Sequence, residues 1–229
     1  MKLWAAETGV VAATRLRAGP VRPVVATFRH SAYLEGGICL APPDLPRGPL
    51  VARLQALPRL RVGDAVELDP GSVWSPAPCR CPDPSGLAAA LRGALRQADW
   101  RPWFTAWPSH AAASALLGAL PDLPANAQVL VGLGPGLTPA GDDVLAGYAL
   151  CRRALGREVP ALDLRGTGAI SRELLACALV GLPAEDEAAL ITGPTLAAAL
   201  RVALHGATSG LATLLGMLAA LTRSGAMQP

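Results

Sequence analysis

Gln128-Val129-Leu130-Val131-Gly132-Leu133-Gly134-Pro135-Gly136-Leu137-Thr138-Pro139-Ala140-Gly141-Asp142-Asp143 is the stretch around which the rest of this 229-residue chain is organised. It begins as a short apolar run, passes glycines at alternate positions (Gly132, Gly134, Gly136) and reaches a helix-start signal. Thr138 is a good N-cap, because its hydroxyl can accept a hydrogen bond from an amide of the first turn. Pro139 suits the first helical position, where its missing N–H costs nothing. Asp142 and Asp143 fall in the early turns, where negative charge faces the positive end of the helix dipole. The glycines permit positive φ and a close backbone approach. The expectation is a backbone cradle feeding a helix N-terminus, a geometry suited to small anions. A plainer reading stays open: a tight loop and a capped core helix, with the aspartates serving only the dipole.

Two common phosphate loops are excluded. A P-loop needs Lys and then Ser or Thr after its last glycine, and the only lysine in the chain is Lys2. The dinucleotide fingerprint needs a different glycine spacing and a βαβ unit around it. A second segment shares the design of the first: Gly206-Ala207-Thr208-Ser209-Gly210-Leu211-Ala212 places small residues and hydroxyls ahead of a helix. If both helix starts face one cleft, their amides with Thr138, Thr208 and Ser209 make an anion pocket. Arg29, Arg47 and Arg165 are candidates to complete it with bidentate contacts. Asp142 and Asp143 could hold Mg²⁺, although adjacent helical residues point about 100° apart and only one would face the site. Gly206 and Gly210 have a plainer reading too, as a close approach between helices.

Working outward, a helix is expected from the central motif to about Leu155. Others cover Ala169 to Val180, a segment from near Pro194 toward Gly206, and a last one from Thr208 or Ser209. Upstream, Ser109 caps an alanine-rich helix through Leu120, and Ser85 caps one in which Leu87, Leu91 and Leu95 repeat every four residues. Trp100, Trp103, Phe104 and Trp107 could stack nucleobases, but such clusters more often anchor packing or an interface. Pro102 and Pro108 argue against one continuous helix there. The prolines at 76, 78, 82 and 84 mark a boundary. Before it, Val24–Phe28, Ile38–Leu40, Arg61–Leu68 and Val73-Trp74 read as short strands separated by turns at Glu35-Gly36-Gly37 and Asp69-Pro70-Gly71. Leu50 to Leu57 is ambiguous. The fold class is therefore α+β: residues 1–82 a small β-barrel or sandwich, residues 83–229 a mainly helical domain carrying both glycine-rich motifs.

Composition narrows the function classes. With 52% hydrophobic and 16% charged residues the chain is not disordered. Thirteen basic and eight acidic residues lie in 1–101, against seven and nine in the remainder. That asymmetry fits an anionic substrate or acidic partner but is too scattered for a nucleic-acid footprint. Five cysteines and no secretory signal point to reduced thiols in a cytoplasm. Cys79-Arg80-Cys81 lacks the usual metal-knuckle spacing. His30, His110 and His205 stand isolated, with only His205 close to a motif. The uncharged run between Arg201 and Arg223 is long enough for a bilayer, yet its Thr, Ser, His and Gly content fits a buried helix better.

The run GLGPGLTPAGDD with Val144-Leu145-Ala146-Gly147 resembles the motif of the AllH-like family, formerly a domain of unknown function. Gly206–Gly216 is similar to its second motif, with Ala207 where the family has His and Ala212 where it has Asp. The resemblance implies a subunit of a multi-subunit carbamoyltransferase of purine (allantoin) catabolism, converting oxalurate and phosphate to oxamate and carbamoyl phosphate. It implies other transferase subunits and an oligomer as partners, with no nucleic acid and no membrane. The residues expected at the ligand are Gly134, Gly136, Thr138, Asp142, Asp143, Thr208, Ser209 and Gly210, with Mg²⁺ as the possible metal at Asp142 and Asp143. The alternative is a non-catalytic subunit that binds a small anion or serves assembly.

Overall fold

In the computed structural model, which describes residues 1–107 and 109–222, the strands lie in the first third of the chain. Pro108 and Arg223, used in the sequence reading, lie outside the described residues, as does the side chain of His110. The strands are β1 (Lys2–Trp4), β2 (Glu7–Gly9), β3 (Val21–Thr27), β4 (Ala32–Leu34), β5 (Ile38–Ala41), β6 (Val51–Arg53), β7 (Ala65–Asp69) and β8 (Ser72–Trp74). They pair in the order β1-β7-β3-β4-β5-β6-β2-β8, a mixed sheet curled into a half-barrel. Antiparallel β4–β5 follows from the turn at Gly36 and Gly37, whose φ values of 84° and 73° only glycine adopts readily, and β3 pairs antiparallel with β4 through the connection at residues 28–31. The parallel pairs β1–β7 and β2–β8 join segments distant in sequence, and parallel β5–β6 is connected by residues 42–50.

Helix α1 (Val10–Ala18) covers this sheet. The sequence of residues 1–82 reads mainly as strands and turns and does not mark this helix, because paired valines and a Thr mask a segment that buries just Ala12, Ala13 and Leu16. Leu34, Ile38, Leu40, Val66 and Leu68 form the core with Leu16. All four residues of β5 are buried, so its pattern is a continuous apolar run rather than an alternation. This unit comprises Met1–Ala77 with Pro183–Glu185. The returning segment is bound by Glu185, whose N–H donates to the Arg47 carbonyl (2.9 Å) and whose Oε1 meets the Arg47 guanidinium at 3.2 Å.

The second unit, Pro78–Leu182 with the described residues from Asp186 onward, is helical. Its helices are α2 (Pro84–Gln97), α3 (Arg101–Ala106), α4 (His110–Ala119), α5 (Leu123–Leu130), α6 (Ala140–Ala154), α7 (Ala169–Leu179), α8 (Glu185–Thr192), α9 (Leu196–Ala203) and α10 (Ser209–Leu221), with Glu185 itself counted in the first unit. Helix α2 is capped by Asp83, which accepts from Gly86 N–H at 2.8 Å, and not by Ser85 as the sequence suggested. Ser109 does cap α4, through Ala112 N–H. Trp103 is fully buried and Trp107 nearly so, with ring centroids 5.8 Å apart, so these aromatics serve packing. No helix of the described residues is long and apolar enough to cross a membrane.

Helices α6 and α10 form the centre of this unit, and α7 packs on α6. Two glycines set their separation. A Cβ on Gly216 would lie 1.9 Å from the Val144 carbonyl oxygen, and one on Gly147 would lie 2.1 Å from that of Thr213. The backbones thus touch where side chains would hold them apart. This crossing brings the two glycine-rich motifs together.

Candidate functional site

Gly132, Gly134 and Gly136 all have positive φ (74°, 121° and 94°), as three alternating glycines before a helix predict. The loop folds back on the start of α6: Leu133 N–H bonds the Leu130 carbonyl, and the Leu133 carbonyl accepts from Gly141 N–H at 2.8 Å. Helix α6 begins one residue later than expected. Pro139, not Thr138, occupies the N-cap position, and no side chain caps it. The Thr138 hydroxyl is thereby free for another task. It lies 3.0 Å from the Ser209 hydroxyl, within hydrogen-bonding distance, at the first residue of α10. Residues 71 positions apart thus join the two motifs by side chains.

The adjacent aspartates part company. Asp142 is 2% exposed, and both its oxygens are engaged. Oδ1 accepts from Gly132 N–H at 2.8 Å, and Oδ2 accepts from the hydroxyls of Ser171 (2.6 Å) and Thr167. That carboxylate pins the glycine loop to the start of α7. Asp143 turns the other way. Its Oδ2 is shut off from solvent with no partner among the described residues, while the nearby Ser209 and Thr138 hydroxyls favour its ionised form. Burial is the main cause that pushes its carboxyl from 3.8 to about 8, with the charges of Asp142 and Glu187 adding to the rise. At neutral pH the group holds its proton.

The remaining expected residues divide. Gly136 is exposed, and Gly134, Thr208 and Ser209 are half-buried. Gly210 is buried, and its Cβ would meet the Val202 carbonyl oxygen at 2.1 Å, so this glycine admits the start of α10 against α9. Gly210 N–H is spent on the His205 carbonyl (2.8 Å), as Gly141 N–H is on Leu133. The opening amides of Gly141 and Asp142 in α6 and of Gly210 in α10 are therefore already engaged, and hydroxyls do the joining. Arg165 is salt-bridged to Asp163, Arg47 to Glu7 and Glu185, and Arg29 lines a cleft of the first unit. Ala207 is exposed, whereas Ala212 is fully buried inside α10. Among the described residues no group of three His, Cys, Asp or Glu side chains is arranged for a metal.

Thr167, Ser171 and Asp186 escaped the sequence reading. Asp186 holds His205 Nε2 at 2.9 Å and Arg201 Nε at 3.5 Å, beside the second motif. Nothing in the spacing of Thr167 and Ser171 marks them, since their role depends on how α7 packs against α6.

Together these features define an α+β protein whose helical unit gathers two hydroxyls and a neutral carboxyl at the openings of two crossing helices. Residues 130–221 match the family described as oxamate carbamoyltransferase subunit AllH, bearing out the resemblance over both motifs. No curated protein and no solved structure matches the chain.

Proposed function

We propose that the chain is a subunit of a carbamoyltransferase and that the Thr138–Ser209–Asp143 cluster meets its small anionic substrate. The observation that carries this is the buried Asp143 Oδ2 without a partner, placed where the two motifs share a hydrogen bond. Buried polar atoms are nearly always satisfied, and one left open calls for a cause. An ionised carboxylate would repel an anion here. A neutral one does not, and its proton can serve as a donor.

In the reaction that the family resemblance implies, a phosphate oxygen attacks the carbamoyl carbon of oxalurate. The C–N bond to oxamate breaks, and the departing nitrogen takes up a proton. Such a transfer depends on positioning and on stabilising developing charge more than on a covalent intermediate. The Thr138 and Ser209 hydroxyls would orient the anion, Gly134 and Gly136 would let the backbone come close, and Asp143 would supply or hold the proton. Asp142, Thr167 and Ser171 would keep the loop in shape. If Mg²⁺ takes part, Asp143 is the better-placed ligand, because Asp142 has both oxygens engaged. The family's name implies further subunits as partners, and the free thiols fit a cytoplasmic setting.

Thermal shift of the purified protein against phosphate, carbamoyl phosphate, oxamate and oxalurate, with and without Mg²⁺, tests this. A ligand at a hundred times its Kd adds about 2.7 kcal/mol of stability. Thr138→Val and Ser209→Ala are expected to abolish that increment while changing basal stability little. An undiminished increment in both variants refutes the site. A subunit that binds but has no chemistry would show the increment while its reconstituted complex turns over normally with Asp143→Asn.

A further inference from the structure

A cleft of about 900 Å³ opens in the first unit between the β3–β4 turn (residues 27–32) and the segment 57–64 that leads into β7. Its volume is in the range of small-molecule sites, which run from roughly 300 to 1,000 Å³. Arg29, Arg59 and Arg61 line it together with His30, and the only acidic residue on its wall is Asp64. That carboxylate is turned to the backbone, with Oδ2 accepting Arg61 N–H at 2.8 Å. Among the described residues none of the three guanidinium groups has a hydrogen-bond or ion-pair partner. Elsewhere Arg47, Arg53, Arg101 and Arg165 are each held by a carboxylate. Three like charges gathered around one concavity repel each other and raise the local concentration of anions.

The cleft is not purely polar. Phe28 is 52% exposed and its ring is perpendicular to that of Tyr33, with centroids 6.0 Å apart, so Tyr33 can cover at most one of its faces. Leu57, Leu60, Pro42 and Pro58 add apolar wall. Planar guanidinium groups match phosphate oxygens two at a time, and an open aromatic face accepts a flat ring.

We propose that this cleft binds a nucleoside diphosphate, the arginines taking the two phosphates and Phe28 the base. The cleft shares no lining residue with the Thr138–Ser209–Asp143 cluster and does not rest on the carbamoyltransferase reading.

Isothermal titration of the full chain with ADP at low ionic strength tests it. The expected result is saturable binding of one ADP, at least fivefold tighter than pyrophosphate and tighter still than adenosine. The double variant R59A/R61A should raise the Kd at least tenfold with an unchanged melting temperature, because both side chains are exposed. F28A should bring ADP down to the affinity of pyrophosphate. T138V should leave ADP binding intact. Absence of saturable binding, an unchanged Kd in R59A/R61A, equal affinity for pyrophosphate in the native protein, or loss of binding in T138V would each overturn the proposal.

Discussion

Asp142 and Asp143 are neighbours with the same side chain and opposite circumstances. Asp142 satisfies three donors at once, the N–H of Gly132 and the hydroxyls of Thr167 and Ser171. Removing the acceptor strands all three, and each stranded buried donor costs about 1–3 kcal/mol. Asp142→Ala is therefore expected to lose at least about 3 kcal/mol in urea denaturation, and Ser171→Ala about 1 kcal/mol. A loss below 1 kcal/mol for Asp142→Ala would mean the loop is not held by this carboxylate. In the sequence both aspartates look alike, as first-turn charges on a helix. The turn of about 100° between neighbours says that one faces in and one out, but not which. That choice is made by Thr167, just before α7, and Ser171 within it, which reach Asp142 from 25 and 29 residues away with hydroxyls that carry no local signal. Thr138 shows the same limit: a good cap by type, it gives that place to Pro139 and spends its hydroxyl on Ser209.

Helices were legible where the turn chemistry was complete. Gly156 and Gly181, with φ of 67° and 82°, follow the ends of α6 and α7 where the sequence put the stops. Helix α8 went unread because its acidic start, Glu185-Asp186-Glu187, gives no apolar period. The short strands β1 and β2 went unread because three residues hold too little alternation to register. Nor could the strand order be read, since parallel partners such as β2 and β8 are set by tertiary packing. The glycines of α6 and α10 could be read only as tolerated breaks, although they decide how closely the helices cross. Gly216→Ala places a Cβ 1.9 Å from the Val144 carbonyl oxygen, which cannot retreat without moving a helix. Overpacking of this kind costs about 1–3 kcal/mol and sometimes more. The expected result is a loss of about 3 kcal/mol together with loss of any ligand-induced increment, because the Thr138–Ser209 contact depends on the same crossing. Gly118→Ala, where a Cβ meets nothing within 4 Å, should be neutral or slightly stabilising and serves as the control. Equal stability of the two variants would show that α6 and α10 cross less closely than described.

For the molecule as a whole, the buried carboxyl ties stability to pH. The folded chain holds a proton on Asp143 up to about pH 8, whereas the unfolded chain releases it near 3.8. Between those values the native state binds the extra proton, so stability falls as pH rises, by about 1.4 kcal/mol per pH unit at most. The contribution is fully present below pH 4 and gone once pH has passed through 8. Asp99 and Asp163 act in the opposite sense, since Arg101 and Arg165 hold them down to about 2. Their effect is confined to the acid side of 3.8. Asn at position 143 is neutral at every pH and removes the dependence. Unfolding free energies of the native protein and of Asp143→Asn, measured at intervals from pH 5 to 8.5, should therefore diverge, with the native protein losing ground steadily. Any anion bound by the cluster should keep its affinity while Asp143 is protonated and lose it as pH rises through about 8, where the carboxylate charge appears beside it. Parallel curves for the two proteins would show that Asp143 is already ionised in the fold, and an ionised carboxylate beside Thr138 and Ser209 would suit a cation rather than the anion proposed.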